Sequence, residues 1–394
     1  MNLLYHYHIP VYKDKSGHLW TSGVQGRFID SLSEHCEELV LAMHAPGPGD
    51  SAFDYKIEAK NVHFLSIGPH LSVPKRILSI PNMRKIITEN KHKIDCALLR
   101  GPSPLLSAMF KSLEPVPTAL LFVGDYLSGI SDLPQPLWRK QIIKLWAYWN
   151  SYGQNIAASK CLVFVNSRKL YEGLKDIARE IIETRTTNLS ERDFYDVKDR
   201  CNNQRYRLLY TGRIDTTKGL FELVDAVKIL WGKNLNVCLD IVGDCAKGDP
   251  TRNNLDNYID RNHLREYIVL HGYKPFGPEL FEFYKRADIF LMASYAEGFP
   301  RAIWEAMAYS VPVIATKVGS IPHYLKDKSE ALLIPPKDPF AIAEAVKLLI
   351  EDSVLRRQMI ERAKASVRQN TLEKRAAELA GYLKDKLFMG RTPK

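Results

Sequence analysis

Short apolar, β-rich runs alternate with helical patterns along nearly the whole chain, and they do so in two blocks. In the first block the predicted strands are NLLYHYH, ELVLAMHA, VHFLSIG, DCALLRG, TALLFVGD and CLVFVNS. In the second they are RYRLLYTGR, NVCLDIVGD, YIVLHGY, DIFLMAS, VPVIAT and ALLIPP. Strands that alternate with helices are typical of βαβ units and parallel sheets. The pattern predicts an α/β protein with two Rossmann-like, doubly wound domains facing each other across a cleft.

A polar segment without periodicity, TTNLSERDFYDVKDRCNNQ, separates the two blocks. We therefore expect an N-terminal domain over residues 1–185, a linker over 186–204 and a second domain over 205–369. The tail is helical in pattern, and Asn370-Thr371 provides a break and a new helix start, so residues 370–394 are predicted to form a separate last helix. A length of 394 residues agrees with two domains, because single cores rarely grow that large.

Composition restricts the class of protein. Hydrophobic residues make up 45% and charged residues 25%, which is ordinary for a globular chain. No apolar run approaches the roughly 20 residues that span a bilayer, and MNLLYHYHIP lacks the basic head of a signal peptide, so we expect a cytoplasmic protein. The net charge of +10 favours polyanionic ligands or an anionic membrane surface.

The loop TGRIDTTKGL follows a predicted strand and precedes a helix that is predicted to begin near Gly219. Ligands of open α/β sheets bind at such strand ends, where free helical N–H groups favour anions. Gly212 permits close backbone approach, and Arg213 and Lys218 are two cations suited to a diphosphate. The alternative is a solvated loop with incidental charges, and the loop alone does not decide between them.

A second strand-end loop, SYAEGFPRAIWE, contains two carboxylates, Glu297 and Glu305. Pro300 suits the first turn of a helix, so Glu297 is predicted in the loop and Glu305 in the helix. Even within one helix, eight residues at about 1.5 Å each would separate them by about 12 Å, too far for a glycosidase carboxyl pair. They could instead hold two ends of an elongated polar ligand. Alternatively, Glu297 caps the helix and Glu305 is a surface residue.

Two of these segments together resemble a known family. Glu297-Gly-Phe-Pro-Arg-Ala-Ile-Trp-Glu305 is similar to the E-x7-E motif of glycosyltransferase family 4, and Gly212-Arg-Ile-Asp-Thr-Thr-Lys-Gly219 is similar to its phosphate loop. The resemblance implies a GT-B fold, a nucleotide-sugar donor held mainly by the second domain, and a last helix that crosses back to the first. It also implies transfer with retention, no metal and no other cofactor.

The resemblance assigns roles to individual residues of the second domain. Arg213 and Lys218 would contact the donor diphosphate, Glu305 the ribose hydroxyls and Glu297 the hydroxyls of the transferred sugar. The backbone of Gly298 and Phe299 would contact the sugar or phosphate. Gly272, Tyr273 and Lys274 would border the base.

In the first domain the resemblance points to two further residues. Gly23 of TSGVQGR lies where the family has a glycine-rich loop near the diphosphate and acceptor. Asp125, at the end of LLFVGD, lies near where many members place a His or Asp over the sugar. It is a candidate catalytic base or orienting residue, with simple helix capping as the alternative.

Residues 137–152 interleave tryptophans and tyrosines with Arg139, Lys140 and Lys144, a mixture favoured at membrane interfaces. Such a segment would suit a lipid-linked acceptor at the inner leaflet; packing of the aromatic rings into the core is the alternative. His6 and His8 have a spacing that could bind metal, but no third ligand accompanies them.

The resulting hypothesis is a cytoplasmic glycosyltransferase of polysaccharide biosynthesis, using a saccharide or lipid-linked acceptor. A non-catalytic sugar-nucleotide-binding homologue is the main alternative. A basic nucleic-acid-binding protein is a weaker alternative, because no recognised motif or concentrated basic block is present.

Overall fold

The computed structural model describes residues 1–51, 53–124, 126, 130, 136–185, 187–202, 204–246, 248–297 and 300–388. The chain divides into two compact units. The first consists of Met1–Asn188 and Leu372–Lys394, and the second of Leu189–Thr371. Each unit is built around one parallel sheet with helices, so the α/β, Rossmann-like prediction is confirmed.

The first unit contains ten of the strands in the described residues. These are β1 (Asn2–His6), β2 (Tyr12–Lys13), β3 (Leu19–Thr21), β4 (Glu38–Ala45), β5 (Tyr55–Lys56), β6 (Val62–Pro69), β7 (Cys96–Gly101), β8 (Thr118–Phe122), β9 (Leu162–Val165) and β10 (Glu180–Glu183). Its first six helices are α1 (Gly23–Ser33), α2 (Val73–Leu78), α3 (Ile80–Asn90), α4 (Leu106–Leu113), α5 (Leu137–Ala158) and α6 (Arg168–Leu174). A 3-10 turn covers Lys91–Lys93.

Seven of these strands form a parallel sheet in the order β10-β9-β8-β7-β1-β4-β6. The chain adds strands outward from β1 to β4 and β6, then returns to the other side at β7. The β1/β7 pair is therefore the topological switch point of this sheet, where the crevice at the strand ends can hold a ligand. The short strands β2, β3 and β5 form a separate antiparallel sheet, which the sequence pattern did not predict because two or three residues carry no periodicity.

The second unit contains β11 (Tyr206–Thr211), β12 (Val237–Val242), β13 (Ile268–Leu270), β14 (Ile289–Met292), β15 (Val313–Thr316) and β16 (Leu332–Ile334). Its helices are α7 (Leu220–Gly232), α8 (Thr251–Arg261), α9 (Pro278–Arg286), α10 (Arg301–Ala308), α11 (Ile321–Tyr324), α12 (Pro339–Glu351) and α13 (Ser353–Arg368), with a 3-10 turn at Glu191–Asp193. All six strands predicted for this block are present. Their order, β13-β12-β11-β14-β15-β16, is parallel throughout and places the switch point between β11 and β14.

The last two helices are separated by residues 369–371, which include Asn370 and Thr371. Helix α13 ends at Arg368, and α14 (Leu372–Leu383) follows, continued by a π-helical turn at Lys384–Phe388. Leu379 and Leu383 of α14 join the buried cluster on one face of the first unit's sheet. This apolar packing, which removes both side chains from water, explains why α14 belongs to the first unit although it follows the second in sequence.

The segment expected to be a linker is packed against the second unit from Leu189 onward. Arg200 is buried, and its guanidinium donates to the carbonyl oxygens of Ser310, Lys285 and Tyr309 at 3.2, 2.6 and 2.5 Å. Asp199 accepts from the buried Arg356 at 2.7 Å. The polar composition that indicated a linker therefore reflects polar contacts within a folded unit.

Among the described residues, no helix combines the length and the apolar character that crossing a bilayer requires.

Candidate functional site

The loops after β11 and β14 lie at the switch point of the second unit's sheet. β11 and β14 are paired neighbours, with Leu208 opposite Ile289, although about 80 residues separate them in sequence. Their carboxyl ends lead into residues 212–219 and 293–300, the two segments that carry the predicted donor residues. Neighbouring parallel strands end at the same edge of a sheet, so the fold brings the two motifs together.

Gly219, which precedes α7, fixes how closely the two loops approach. Its φ is +64°, in the left-handed region. A Cβ at this position would lie 2.1 Å from the carbonyl oxygen of Ala293, the first residue after β14. Only glycine accommodates both the dihedral angle and the close contact. The start of α7 is thereby held against the loop that contains Glu297.

Lys218 and Glu297 form an ion pair across the two loops. Lys218 Nζ lies 2.6 Å from Glu297 Oε1, and each side chain is only 12% exposed. Ser294 Oγ donates to the same oxygen at 2.8 Å. Both contacts end on Oε1, and Oε2 has no protein partner in the described part of the chain. Because an ammonium has three donors, Lys218 retains hydrogen-bonding capacity beyond this pair.

Arg213 differs from Lys218 in that its side chain is 82% exposed. Its nearest carboxylate, Asp215 Oδ2, lies 3.8 Å away, and Asp215 Oδ1 accepts from the Thr217 amide at 2.9 Å. The Arg213 backbone is fixed, because Tyr210 OH donates to its carbonyl oxygen at 2.8 Å. Burial raises the pKa of Tyr210, so the phenol stays protonated as a donor. A fixed backbone with an exposed guanidinium suits recognition of an anion from solvent.

Glu305 lies on α10 and is buried, with 8% of its surface exposed, so it is not a surface residue. Tyr284 OH donates to Glu305 Oε2 at 2.8 Å, and the Thr211 hydroxyl is 2.6 Å from the same phenol oxygen. Burial raises the pKa of Glu305, opposed by the bond from Tyr284 and the charge of Arg301. This chain of hydroxyls ties Glu305 to the end of β11.

The two carboxylates of SYAEGFPRAIWE therefore have separate partners. Glu297 pairs with Lys218 and Ser294, whereas Glu305 is bonded to Tyr284. Pro300 is the N-cap residue of α10, and no side chain caps this helix among the described residues, so Glu297 does not act as its cap. The prediction that Glu297 lies in the loop and Glu305 in the helix is confirmed.

The loops after β12 and β13 continue the same edge. Gly212 N donates to Val242 O at 3.0 Å, and Gly243 N donates to Gly272 O at 2.9 Å. A Cβ on Gly243 would lie 1.8 Å from Gly212 O, so the backbones of adjacent loops are in direct contact. Tyr273 is 72% exposed beside them.

Lys274 completes this edge and contacts Glu279 at 3.3 Å. The residues predicted to border a base are thus adjacent to those predicted to contact the diphosphate.

Other predicted positions lie elsewhere. Gly23, at the start of α1 in the first unit, donates its backbone N–H to Asp54 Oδ1 at 2.7 Å. Asp125, Gly298 and Phe299 lie outside the described residues.

The suggested metal ligand His6 has both ring nitrogens in contact with protein groups. These are Ala42 O at 2.7 Å and Ser103 Oγ at 3.0 Å. The described residues contain no group of three or more His, Cys, Asp or Glu placed to hold a metal ion.

Sequence reasoning missed Ser294, Thr211 and Tyr284. Ser294 and Thr211 adjoin the predicted motifs, and strand-end position was a signal that could have identified them. Tyr284 lies in α9, and its aromatic ring is part of the core. Nothing in its sequence neighbourhood distinguishes it from a packing residue.

The chain is similar to known glycosyltransferases in sequence and in fold. Residues 191–366 match the family model Glycosyl transferases group 1. The matched range lies within the second unit, where the site residues Arg213, Lys218, Glu297 and Glu305 are found.

Curated relatives resemble the chain over part of its length. A putative teichuronic acid biosynthesis glycosyltransferase, TuaC, of Bacillus subtilis is 35% identical over 141 residues, 35% of this chain and 31% of the relative. A capsular polysaccharide biosynthesis glycosyltransferase, CapM, of Staphylococcus aureus is 30% identical over 158 residues, 39% of each protein. The matches to these two relatives thus span about a third of their length.

Solved structures resemble the whole chain in fold. Anabaena Alr3699/HepE in complex with UDP has a TM-score of 0.73 at 16% identity, covering 98% of this chain and 100% of that one. Sucrose-phosphate synthase from Thermosynechococcus elongatus has a TM-score of 0.71 at 16% identity, covering 99% and 100%. The GT-B fold expected from the sequence is confirmed.

Proposed function

We propose that this protein is a glycosyltransferase that moves a sugar from a nucleotide-diphosphate donor to a saccharide or lipid-linked acceptor. The observation that carries the proposal is the Lys218–Glu297 pair, in which the cation of one loop and the carboxylate of the other meet at 2.6 Å. A diphosphate and the sugar attached to it need such a cation and such an acceptor side by side. The match of residues 191–366 to group 1 glycosyl transferases supports the same conclusion.

In the proposed donor complex, Arg213 and Lys218 bind the diphosphate and Glu297 accepts from hydroxyls of the transferred sugar through its open Oε2. Glu305 accepts from the ribose hydroxyls. Its position supports this role, because Tyr284 occupies only one of its oxygens and holds the side chain in place. Tyr273 and Lys274 border the base.

The proposed chemistry relies on charge at the leaving group. Departure of the nucleoside diphosphate builds negative charge that Arg213, Lys218 and the N-terminus of α7 stabilise, while the anomeric carbon gains oxocarbenium character. We propose transfer with retention, of the family-4 hexosyltransferase kind, in which the acceptor attacks on the leaving-group face and the donor phosphate takes its proton. The cations named here supply positive charge without a metal.

A thermal-shift screen with UDP, GDP, ADP and their sugars tests the donor site. A ligand that binds only the folded protein at about 100 times its Kd stabilises it by about 2.7 kcal/mol. Because HepE was solved with UDP and with UDP-glucose, uridine nucleotides come first. Arg213→Ala and Lys218→Ala should lose the shift, and Lys228→Ala, which removes an exposed cation from α7, should retain it. If no nucleotide stabilises the wild type, the donor site is wrong.

A non-catalytic homologue that binds sugar nucleotides is the alternative. It would show the thermal shift but neither donor hydrolysis nor transfer to an added saccharide. Assay of released nucleoside diphosphate with the stabilising donor therefore distinguishes a transferase from a binding protein. Acceptors from polysaccharide assembly are the first to test, since TuaC is named for teichuronic acid biosynthesis and CapM for capsular polysaccharide biosynthesis.

Peripheral contact with the inner leaflet is a further part of the proposal, and the exposed face of α5 favours it. Residues spaced by four and three positions form one apolar stripe: Trp138, Ile142, Leu145, Trp149, Tyr152 and Ile156 are 66, 59, 63, 71, 65 and 41% exposed. Of the aromatic rings that the alternative prediction packs into the core, Trp138, Tyr148 and Trp149 are exposed, whereas Trp146 is half-buried and lies 5.0 Å from the ring of Tyr126. Large exposed apolar stripes flanked by cations suit an anionic membrane surface.

Sedimentation with vesicles tests this contact. The wild type should bind vesicles that contain anionic lipid, and Trp149→Ser should weaken binding by about tenfold, because an exposed tryptophan buries a large apolar area. Val354→Ser removes an exposed apolar side chain from α13 and is the matched control. Equal binding by wild type and Trp149→Ser would reject the α5 surface.

A further inference from the structure

A cluster of cationic and imidazole groups lies at the carboxyl edge of the first unit's sheet. His8 follows β1, His44 is near the end of β4, His70 follows β6, and Arg76 comes from α2. The rings of His44 and His70 are 5.6 Å apart, and Arg76 Nη1 is 3.4 Å from His8 O. Four segments distant in sequence thus place basic groups at one edge, which is where open α/β sheets bind ligands.

Arg76 is the unusual member of this cluster. It is only 7% exposed, and the described residues provide no carboxylate within 4 Å of its guanidinium. Among the described residues its buried Nε has no hydrogen-bond partner, and the hydrogen bond that its guanidinium does make there, from Nη1 to His8 O, is 3.4 Å long. Burial lowers the pKa of Arg76. An uncompensated buried guanidinium costs stability, because the charge loses water and gains no counter-charge.

Two imidazoles near Arg76 also have buried nitrogens, His8 Nδ1 and His44 Nε2, for which the described part of the chain offers no hydrogen-bond partner. His44 Nδ1 is 3.3 Å from Gly68 O, which makes Nδ1 the donor, so Nε2 becomes a second donor only when the ring takes up a proton. Burial and the charge of Arg76 lower the pKa of both rings to about 3. A bound anion would offset the positive charge of Arg76 and would therefore favour protonation of His44.

The carboxylate that does come within electrostatic reach of Arg76, Asp50, is engaged by other groups. His70 Nδ1 lies 3.0 Å from Asp50 Oδ1, and Gly47 N donates to Asp50 Oδ2 at 2.8 Å. Asp50 therefore holds His70 and the preceding loop and makes no ion pair with Arg76. His8 and His70 are half-buried, whereas His44 and Arg76 are buried.

We propose that Arg76, His8 and His44 form a binding site for a phosphate or carboxylate group, and that this group belongs to the acceptor. The assignment to an acceptor rests on the proposed transferase function, whereas the anion site itself does not. The Arg76 guanidinium supplies a charged donor, and the buried ring nitrogens of His8 and His44 can add donors when the rings are protonated, which a tetrahedral or planar oxyanion would favour. The acceptor is then an acidic saccharide or a saccharide phosphate rather than a neutral sugar.

Inorganic phosphate is the direct probe of the site. Its effect on thermal stability is compared with that of chloride at equal ionic strength, in a Lys218→Ala background that weakens anion binding in the second unit. Phosphate should raise the Tm of the Lys218→Ala protein by several degrees. Adding Arg76→Gln to that protein should abolish the rise. Arg84→Gln, which removes an exposed arginine from the adjacent helix α3, is the matched control and should retain it.

Stability without ligand separates a binding role from a structural one. If the role of Arg76 is to bind an anion, the Tm of the Arg76→Gln variant measured without phosphate should equal or exceed that of its parent. The reason is that the substitution removes a buried charge that has no ion pair. A lower Tm, failure to fold, or a phosphate shift equal to that of the parent would overturn the site. As a second measurement in the unmutated protein, phosphate should raise the pKa values of His8 and His44 in an NMR titration; unchanged values would also overturn it.

Three further ligands identify the source of the anion. Glucose 1-phosphate and glucuronate should replace inorganic phosphate in the thermal assay if a sugar phosphate or a uronic acid is bound, and glucose should not. If glucose protects Arg76→Gln and its parent equally, the anionic acceptor is rejected. Arg76→Gln should bind nucleotides as well as its parent does. If no nucleotide stabilises the wild type but phosphate still stabilises the Lys218→Ala protein, the proposed function is rejected and the anion site stands.

Discussion

The two sheets use the same edge for polar groups, but they balance charge differently. At the β11/β14 edge, Lys218 is paired with Glu297 and Glu305 is bonded to Tyr284, so the polar groups are largely satisfied within the chain. At the β1/β4/β6 edge, Arg76 is buried with no ion pair in the described residues. A paired edge is organised before its ligand arrives, whereas an unpaired one depends on the ligand for compensation. Two parallel sheets of the same kind can therefore bind their ligands in different ways.

The largest expected effect concerns the backbone of the β11/β14 edge, and it tests whether close contact between the two loops holds that edge in place. Gly219→Ala places a Cβ 2.1 Å from Ala293 O at a φ of +64°. We expect a loss of about 3 kcal/mol or more, from left-handed strain together with the overlap. Hydrogen exchange of the α7 amides in denaturant measures this loss in the free energy of unfolding.

Gly232→Ala is the control, since a Cβ at the end of α7 meets nothing within 4 Å. It should leave stability unchanged or raise it by up to about 1 kcal/mol. Similar stability of both variants would show that the close approach of the two loops is not required.

The next effect tests the charge pairing itself. Lys218→Ala removes the cation at the diphosphate and leaves the 12%-exposed Glu297 without its partner. We expect kcat/KM to fall about 100-fold or more, about 2.7 kcal/mol of transition-state stabilisation. Steady-state kinetics with the donor identified by the screen measures it.

Combining Glu297→Gln with Lys218→Ala tests whether Lys218 and Glu297 act together or independently. If the two residues act as a pair, the double variant should lose less than the sum of the single losses. Additive losses would contradict the functional pairing of Lys218 with Glu297.

Acid should weaken the first unit more than the second. Burial, with the charge of Arg76, lowers the pKa of His6 to about 4 and those of His8 and His44 to about 3. Unfolded histidines titrate near 6.5, so the unfolded chain binds more protons, and stability is lost as pH falls below about 6.5. Each histidine should contribute about 1.4 kcal/mol per pH unit, or about 2 kcal/mol between pH 7 and 5.

Denaturation of the first unit at pH 7 and 5 checks this dependence. The charged and titratable groups that act on the three rings are Arg76, His70 and the rings themselves, Tyr7 packs against His8, and Asp50 and Tyr126 act on Arg76. His44→Gln should reduce the loss, and His92→Gln, at an exposed site, should not. A pH dependence unaffected by His44→Gln would show that other groups control acid stability.

The smallest effect concerns Glu305. Glu305→Gln keeps an acceptor for Tyr284 but removes the charge proposed to hold the ribose. We expect stability to change by less than about 1 kcal/mol and donor affinity to fall about tenfold. Isothermal titration with the donor measures the affinity, and global unfolding of this variant would show that Glu305 is structural.

Strand and helix positions were largely predictable because their signals are local. A buried parallel strand such as ELVLAMHA is a short apolar run, and β4 spans the same residues, Glu38–Ala45. The end of β11 and the start of α7 followed from the position of Gly212 and Gly219. The short strands β2, β3 and β5 had no comparable signal. The polar segment 186–204 was predicted to be a linker, although from Leu189 it belongs to the second unit and its Arg200 and Asp199 are bonded there.

The candidate site was predictable in part. Arg213, Lys218, Glu297 and Glu305 were identified because two spaced motifs occur in order at strand ends. Tyr284 was not, because a tyrosine on the buried face of an amphipathic helix is indistinguishable from core until its hydroxyl is found 2.8 Å from Glu305. Arg76 was likewise an ordinary basic residue of a basic segment until its burial was known.

The sequence by itself determined the alternation of strands and helices, the two-block order and the residues of the two motifs, since these depend on neighbours along the chain. Tertiary structure decided which of them meet. Strand order placed the end of β11 beside the end of β14, and this brought Lys218 to 2.6 Å from a carboxylate 79 residues away. It also decided which charges lack a partner, because the cost of a charge depends on burial and on distant segments that no local pattern contains.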